Sequence, residues 1–291
     1  MKWDILHLEQ FETSLHHEEL YVNVLKDHLQ AHREAIAPPH KHSFFLVVVF
    51  TQGEGVHEID FERYPVSPGS VFFLTPGQIH HWELSPDADG IIFFHSQEYF
   101  DVAFTQQSVF QFPFYYSQQS PPLLQLTAEQ LPQVFLHFEN LLQEYRNEEA
   151  WMKRQRLSAQ LSQLYIDLSR EYLTEERQET QAYATYSEHL RALEVLIEDQ
   201  YVEQKSPTAY AEQLHMTVRH LNRIVQEALG KTTTQLITER VILEAKRMLV
   251  QSTVPPAEIA ETLGYPDYPY FSRLFKKWVG VSPAAFAKQY R

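Results

Sequence analysis

Between residues 40 and 100 the apolar positions fall in short runs punctuated by glycine and proline. Ser43–Phe50 is β-branched and aromatic. Gly53–Asp60 carries a GEG turn and then an alternating stretch, Val71–Leu74 lies between Pro68-Gly69 and Pro76-Gly77, and Gly90–Phe94 is a further short strand. Many short strands so punctuated predict a small barrel or sandwich, and the lack of a dozen-residue helix between them argues against a βαβ sheet. After Leu126 the period changes. Leu131, Val134, Phe135, Phe138, Leu141, Leu142 and Tyr145 recur at helical spacing, as do Leu157, Leu161, Leu164, Tyr165 and Leu168. The polar stretch RNEEAW separates two predicted helices. The second series is spaced 4-3-4, close to a coiled-coil seam. These helices either cover the barrel or join two subunits, and the spacing favours a homodimer through residues 129–172. Residues 173–186 are polar and acidic and read as a linker. From Ser187 onward the pattern is almost entirely helical.

That last segment contains an internal repeat. Ala211-Glu-Gln-Leu214 precedes a break at His215-Met216, after which Thr217 caps a helix; Ala260-Glu-Thr-Leu263 precedes Gly264-Tyr265, after which Asp267 caps another. Leu221/Phe271, Arg223/Arg273, Val225/Phe275 and Gly230/Gly280 each stand fifty residues apart. Each unit has the parts of a helix-turn-helix, with Gly264 suited to a left-handed turn and His215 a poorer fit in the same place. Leu221, Ile224 and Val225, then Phe271, Leu274 and Phe275, form the inward edges. Arg219, Asn222 and Arg223, then Tyr268, Pro269, Ser272 and Arg273, form the outward edges, with Lys276 and Lys277 beyond. A predicted helix over Thr234–Val250, about 25 Å long, separates the units by roughly one DNA turn. The pattern predicts duplex DNA binding; the alternative is a helical protein-binding module.

Charge alters this picture less than the total suggests. The chain of 291 residues has a formal net charge of −14. Residues 1–184 hold 11 Lys+Arg against 26 Asp+Glu, whereas residues 185–291 hold 13 against 12. The acid therefore sits in the first part, and the second is free to carry a local basic face. There is no cysteine, which removes disulfides, iron–sulfur clusters and thiol catalysis from consideration. The apolar run FFLVVVF at 44–50 is far shorter than a membrane span, and MKWDILHLEQ shows no signal stretch, so a cytoplasmic protein without a membrane partner is expected.

The segment EIAETLGYPDYPYFSRLFKKWVGVSPAAFAKQYR at 258–291 resembles the AraC/XylS family of bacterial transcription regulators. The resemblance spans about 185–291 and is strongest at Gly264, Tyr270, Phe271, Arg273, Phe275, Lys276, Gly280 and Pro283. It departs at Pro269, which is tolerable in a first helical turn but offers a base edge no hydrogen bond. The resemblance implies base contacts from Arg219, Asn222 and Arg223 and from Tyr268, Pro269 and Arg273. Arg to guanine and Asn to adenine are the natural pairings. Arg223 and Arg273 also suit a phosphate or an acidic neighbour, and Lys276 and Lys277 read as phosphate contacts or solvated charges.

In the first half, PHKH at 39–42 puts two imidazoles on one strand face, and PGQIHHW at 76–82 brings further histidines. Residues 39–82 are similar to the cupin barrel that many members of that family carry as a sensor. The architecture expected is therefore two-domain: a cupin-like jelly-roll barrel with a helical hairpin over 1–172, a linker over 173–186, and an all-α double helix-turn-helix domain over 187–291. His40, His42 and His80 are weak metal candidates. The carboxylate that a catalytic cupin carries about four residues after its HxH pair is absent, because that stretch reads FFLVV. We therefore expect no metal, no cofactor and no catalysis, and instead a small-molecule effector pocket of His40, His42, Phe45, Val47, His57, Phe72, His80 and Trp82, in an interior also including Val49 and Leu74. The alternatives are a metal-dependent cupin enzyme fused to a DNA-binding domain, and an effector-independent regulator whose first half only dimerises. The segment WDILHLEQFETSLHHEEL is a candidate arm closing the pocket or touching the DNA-binding domain, with Ile5, Leu6, Leu8 and Phe11 as its contacts; plain packing is the alternative.

Overall fold

A computed structural model describes residues 5–11, 19–103, 109–115, 117, 120–173, 181–251 and 254–290. The chain forms two compact units, one within residues 3–178 and the other within 179–291. The first contains β1 (Ile5–Leu6), β2 (Leu20–Val24), α1 (Leu25–Ala31), α2 (Arg33–Ile36), β3 (His40–His42), β4 (Phe45–Gln52), β5 (Gly55–Ile59), β6 (Glu62–Val66) and β7 (Ser70–Leu74). It continues through β8 (Ile79–Leu84), β9 (Asp89–His95), α3 (Gln97–Ala103), β10 (Leu123–Gln125), α4 (Gln130–Arg146) and α5 (Lys153–Tyr172). The strands build two five-stranded sheets, ordered β1-β3-β8-β5-β6 and β10-β7-β4-β9-β2. Among the described residues only β1 pairs in parallel, with β3. The expected strands are all present, and β6, β8, β2 and β10 add to them.

The second sheet is buried on both faces, because its alternate residues feed two different cores. Leu46, Val48, Phe50, Phe72, Leu74, Ile92 and Phe94 join Ile59 and Val66 of the first sheet in the barrel interior. Phe45, Val47, Val49, Val71, Phe73, Ile91 and Phe93 point the other way, onto Phe138, Leu141 and the leucines of α5. This corrects the expected pocket: Phe45 and Val47, like Val49, lie outside the barrel. Phe45 stacks on His95 with ring centroids 5.2 Å apart.

The seam on α5 is likewise an internal surface. Leu157, Leu161, Leu164 and Leu168 are at most 1% exposed within the single chain. The stripe covers the outer face of the sheet, so it is not available to a second subunit. In the N-terminal segment, Leu6, Leu8 and Phe11 are buried in the barrel interior while Ile5 is exposed. Phe11 packs edge-on against Phe44 and Phe94. Plain packing thus accounts for the described part of the proposed arm; residues 3–4 and 12–18 of it lie outside the described residues.

The second unit is helical throughout: α6 (Gln181–Gln200), α7 (Pro207–Gln213), α8 (Val218–Leu229), α9 (Thr233–Gln251), α10 (Pro256–Thr262), α11 (Tyr268–Val279) and α12 (Pro283–Gln289). Residues 181–186, expected in the linker, are instead the start of α6. The remaining central linker residues, 174–180, lie outside the described residues. Leu190, Leu193 and Ile197 of α6 pack on Tyr210, Ala211, Leu221 and Val225. Phe271, Phe275 and Phe286 form the corresponding aromatic core of the second repeat. Among the described residues no helix is long and apolar enough to cross a membrane.

Candidate functional site

Two short helix pairs, α7–α8 and α10–α11, carry the outward edges read from the repeat. Each turn closes in the same way. Met216 N–H donates to Ala211 O at 2.9 Å, and Tyr265 N–H donates to Ala260 O at 2.8 Å. The turn residues His215 and Gly264 are both left-handed, at φ 53° and 78°. His215 accepts a conformation that disfavours side chains, whereas at Gly264 a Cβ would sit 2.2 Å from Val202 O. The second turn is one residue longer, so Ala211/Ala260 are 49 apart and the downstream anchors fifty. Thr217 Oγ1 accepts from His220 N–H at 3.2 Å, and Asp267 Oδ1 accepts from Tyr270 N–H at 3.1 Å. Left-handed Gly230 and Gly280 end the two helices. Capping and termination therefore fix which edge of each helix faces out.

Leu221, Ile224, Val225, Phe271 and Phe275 are fully buried. Arg219, Arg223, Pro269, Arg273, Lys276 and Lys277 are exposed, and Asn222 and Tyr268 are partly exposed. Among the described residues, the side chains of Arg219, Arg273, Lys276 and Lys277 form no hydrogen bond or ion pair. Other cations of this unit are neutralised: Arg240 pairs with Glu198 and Glu244, and Lys231 with Glu239 at 2.9 Å. A groove of about 600 Å³ runs along the first helix, lined by Thr217, Arg219, His220, Asn222, Arg223, Gln226 and Thr232.

Two of the expected contact residues have partners within the chain. Asn222 Oδ1 accepts from Thr233 N–H at 3.0 Å, so it caps α9. A bidentate grip on adenine needs that same oxygen. Arg223 Nη2 lies 3.1 Å from His220 Nδ1. The groove residues His220, Gln226 and Thr232 escaped the sequence reading, although Gln226 follows Asn222 and Arg223 at helical spacing.

Lys205 also escaped it. Its ammonium donates to Val202 O at 2.7 Å and Leu263 O at 2.9 Å, and lies over the Tyr265 ring. It ties the segment after α6 to the second turn, and burial lowers its pKa. A single lysine in a polar loop gives no sequence signal for this role.

In the barrel, His40, His42, His57 and His80 are buried together. The pairing of β3, β5 and β8 causes this, with His40 opposite His80 and His57 opposite Trp82. Rings of His40 and His42 lie 4.4 and 5.1 Å from that of His80. His57 Nε2 is 2.9 Å from His80 Nδ1. His42 Nδ1–H donates to Phe44 O at 2.8 Å, which leaves its Nε2 as an acceptor. Burial, reinforced by neighbouring imidazoles, drives His42 down to about 3 and holds His57 and His80 well below their ordinary value. His42, His57 and His80 are therefore neutral. Four of its buried polar atoms, His42 Nε2, His57 Nδ1, His80 Nε2 and Trp82 Nε1, have no hydrogen-bond partner. Among the described residues no three His, Asp or Glu side chains are arranged to hold a metal ion, so His40, His42 and His80 do not form the expected weak candidate site. Phe72 packs on His57 at 4.6 Å, on the same side of the strands.

Two family models match the chain. A family model for a helix-turn-helix domain matches residues 210–289, and one for an AraC-like ligand binding domain matches residues 27–193. The chain is 24% identical over 260 residues to the HTH-type transcriptional activator RhaS of Escherichia coli, covering 86% of this chain and 87% of that one. It is 23% identical over 254 residues to the HTH-type transcriptional regulator YfiF of Bacillus subtilis, covering 87% and 79%. The structure of ToxT from Vibrio cholerae aligns with 93% of this chain and 98% of its own, at 12% identity and a TM-score of 0.43.

Proposed function

Because the chain belongs to the AraC family of DNA-binding transcription regulators, we propose that a small-molecule effector in its barrel unit controls how its helical unit reads DNA. The observation that carries the DNA half is the pair of capped helices, each with one buried apolar edge and one outward edge, on which Arg219, Arg273, Lys276 and Lys277 form no hydrogen bond or ion pair among the described residues. The 19 residues of α9 span about 28 Å, suited to two successive major-groove segments on one DNA face. Arg219, Arg223, Tyr268, Pro269 and Arg273 reach base edges in this reading. Asn222 contributes mainly by holding α9, and Lys276 and Lys277 meet phosphate.

Footprinting tests it: protection of two adjacent major-groove segments is the expected result. A protein that shifts no promoter-derived duplex and binds a protein partner tightly instead defeats it. Arg219→Ala is expected to cost roughly 1–3 kcal/mol at the preferred site and to change base preference there. Lys277→Ala is expected to weaken all sites alike and to lower the salt slope by about one. An unchanged slope removes Lys277 from phosphate contact.

The domain limits 1–172, 173–186 and 187–291 form part of the proposal, with α6 starting earlier than the last of them. So do a cytoplasmic location and a homodimer. The dimer now rests on the outward side of the α4–α5 hairpin, where Leu136 and Ile166 are 53% and 44% exposed. The barrel is assigned no catalysis. A metal-dependent enzyme predicts stoichiometric metal in gently purified, tag-free protein and its loss in His42→Ala; finding both would replace the sensor reading.

A further inference from the structure

A pocket in the barrel unit is lined by Trp82, which also packs on the histidine cluster. It is a solvent-open pocket of about 410 Å³ between α1–α2 and the end of β8, a size typical of small-ligand sites. Leu29, Ile36, Trp82, Leu84 and Ala88 supply apolar wall, while Lys26, Gln30 and Arg33 supply the polar side. The two cations stand out against their background, since residues 1–184 hold more than twice as many acids as bases. A lysine or arginine on such a surface has many carboxylates to choose from. Yet neither the Lys26 nor the Arg33 side chain forms a hydrogen bond or ion pair among the described residues.

Asp87 and Asp89, on the segment that lines the cavity with Ser85, Pro86 and Ala88, are engaged elsewhere. Asp89 Oδ1 accepts from the backbone N–H groups of Gly90 at 2.8 Å and Lys26 at 3.3 Å. The carboxylate of Asp87 is held chiefly by Ser85 and Gln52, and the field of Lys26 acts on it least. The cavity thus offers two positive charges that form no direct ion pair among the described residues, beside an aromatic and aliphatic floor. An inorganic anion would leave the floor unused, and a neutral polyol would leave the charges unused.

We infer that this cavity binds an organic monoanion with an apolar body, an aromatic or alkyl carboxylate, with its charge between Lys26 and Arg33 and its body against Trp82. The inference rests on the effector reading above and specifies its ligand class. The Trp82 ring is 5.1 Å from His57 and 4.9 Å from His80, so the occupant also lies beside these two neutral imidazoles.

Calorimetric titration of the full-length protein tests the inference. The probes are benzoate, indole-3-acetate, 4-phenylbutyrate and octanoate, each paired with its corresponding alcohol. At least one carboxylate is expected to bind about tenfold or more tightly than its alcohol. The double variant Lys26→Gln/Arg33→Gln should erase that advantage while keeping the wild-type melting curve. Leu29→Trp, which fills the cavity, should block carboxylate and alcohol alike. No carboxylate preference in the whole panel, a preference that survives the double variant, or full binding to Leu29→Trp overturns the site. DNA affinity measured in the same samples separates the two levels. Charge-selective binding that leaves DNA affinity unchanged keeps the anion site and removes effector control. A neutral ligand that shifts DNA affinity while no carboxylate binds overturns the anion site and leaves effector control standing.

Discussion

Replacing Leu161 and Leu164 together with glutamate is expected to abolish cooperative folding of the barrel unit. Both side chains are fully buried in one core with Phe93, Phe138, Tyr165 and the outer face of β4. Truncating a buried leucine to alanine alone costs about 2–5 kcal/mol. Glutamate adds the desolvation of a charge with no cation in that core. Two such changes exceed the roughly 5–15 kcal/mol that stabilises a typical domain. Leu136→Glu with Ile166→Glu makes the informative contrast. These residues are exposed at one level of the antiparallel hairpin, as the flanking cross-pairs Gln130–Glu171 and Arg156–Glu144 indicate. That double variant should keep the wild-type melt, and if the hairpin joins two subunits it should sediment as a monomer. Circular dichroism melts and ultracentrifugation read both variants. A native-like melt for Leu161→Glu/Leu164→Glu would mean that the stripe is not core. Wild-type protein that is monomeric at tens of micromolar removes the dimer.

The contrast shows where periodicity stops informing. A leucine every three or four residues on α5 says that one face is buried; it does not say whether a sheet of the same chain or a second chain covers it. The strand β4 shows the same limit. Its residues Phe45–Phe50 are apolar at every position, so alternation gives no clue to which side meets the other sheet. A one-residue error in facing exchanges the two sides, and it put Phe45, Val47 and Val49 in the interior instead of Leu46, Val48 and Phe50. His40, His42, His57 and His80 do come together in the barrel, because polar residues in apolar strands carry a facing signal. The helix-turn-helix units were the most legible part, since their caps and left-handed turn residues are local in sequence. The capping bond of Asn222, the Lys205 tie and the cationic rim at Lys26 and Arg33 depend on residues brought together only by folding.

Acidification below neutral pH is expected to destabilise the barrel unit steeply. His28 and His42 are lowered to about 3 and His95 to about 4, in each case first by burial, and His57 and His80 lie well below their ordinary value. In the unfolded chain these groups titrate near 6.5. Depressed folded-state values mean that the native state stays neutral while the unfolded state gains protons as pH falls. Stability is therefore complete above the unfolded value and is lost progressively from there downward, by about 1.4 kcal/mol per pH unit for each histidine that stays neutral. His28 and His95, which lie outside the four-histidine cluster, would together cost about 3 kcal/mol one pH unit below 6.5. The clustered histidines share their protons and add a smaller, coupled amount. Carboxylates titrate lower, so urea unfolding between about pH 7 and 5.5 isolates the histidine contribution. His28 packs among Phe11, Tyr21 and Phe94, so His28→Phe keeps an aromatic ring there and should reduce the proton uptake on unfolding by about one. Stability that is flat or rising on acidification through this range would show that these imidazoles are charged or hydrated in the native barrel, contrary to their burial.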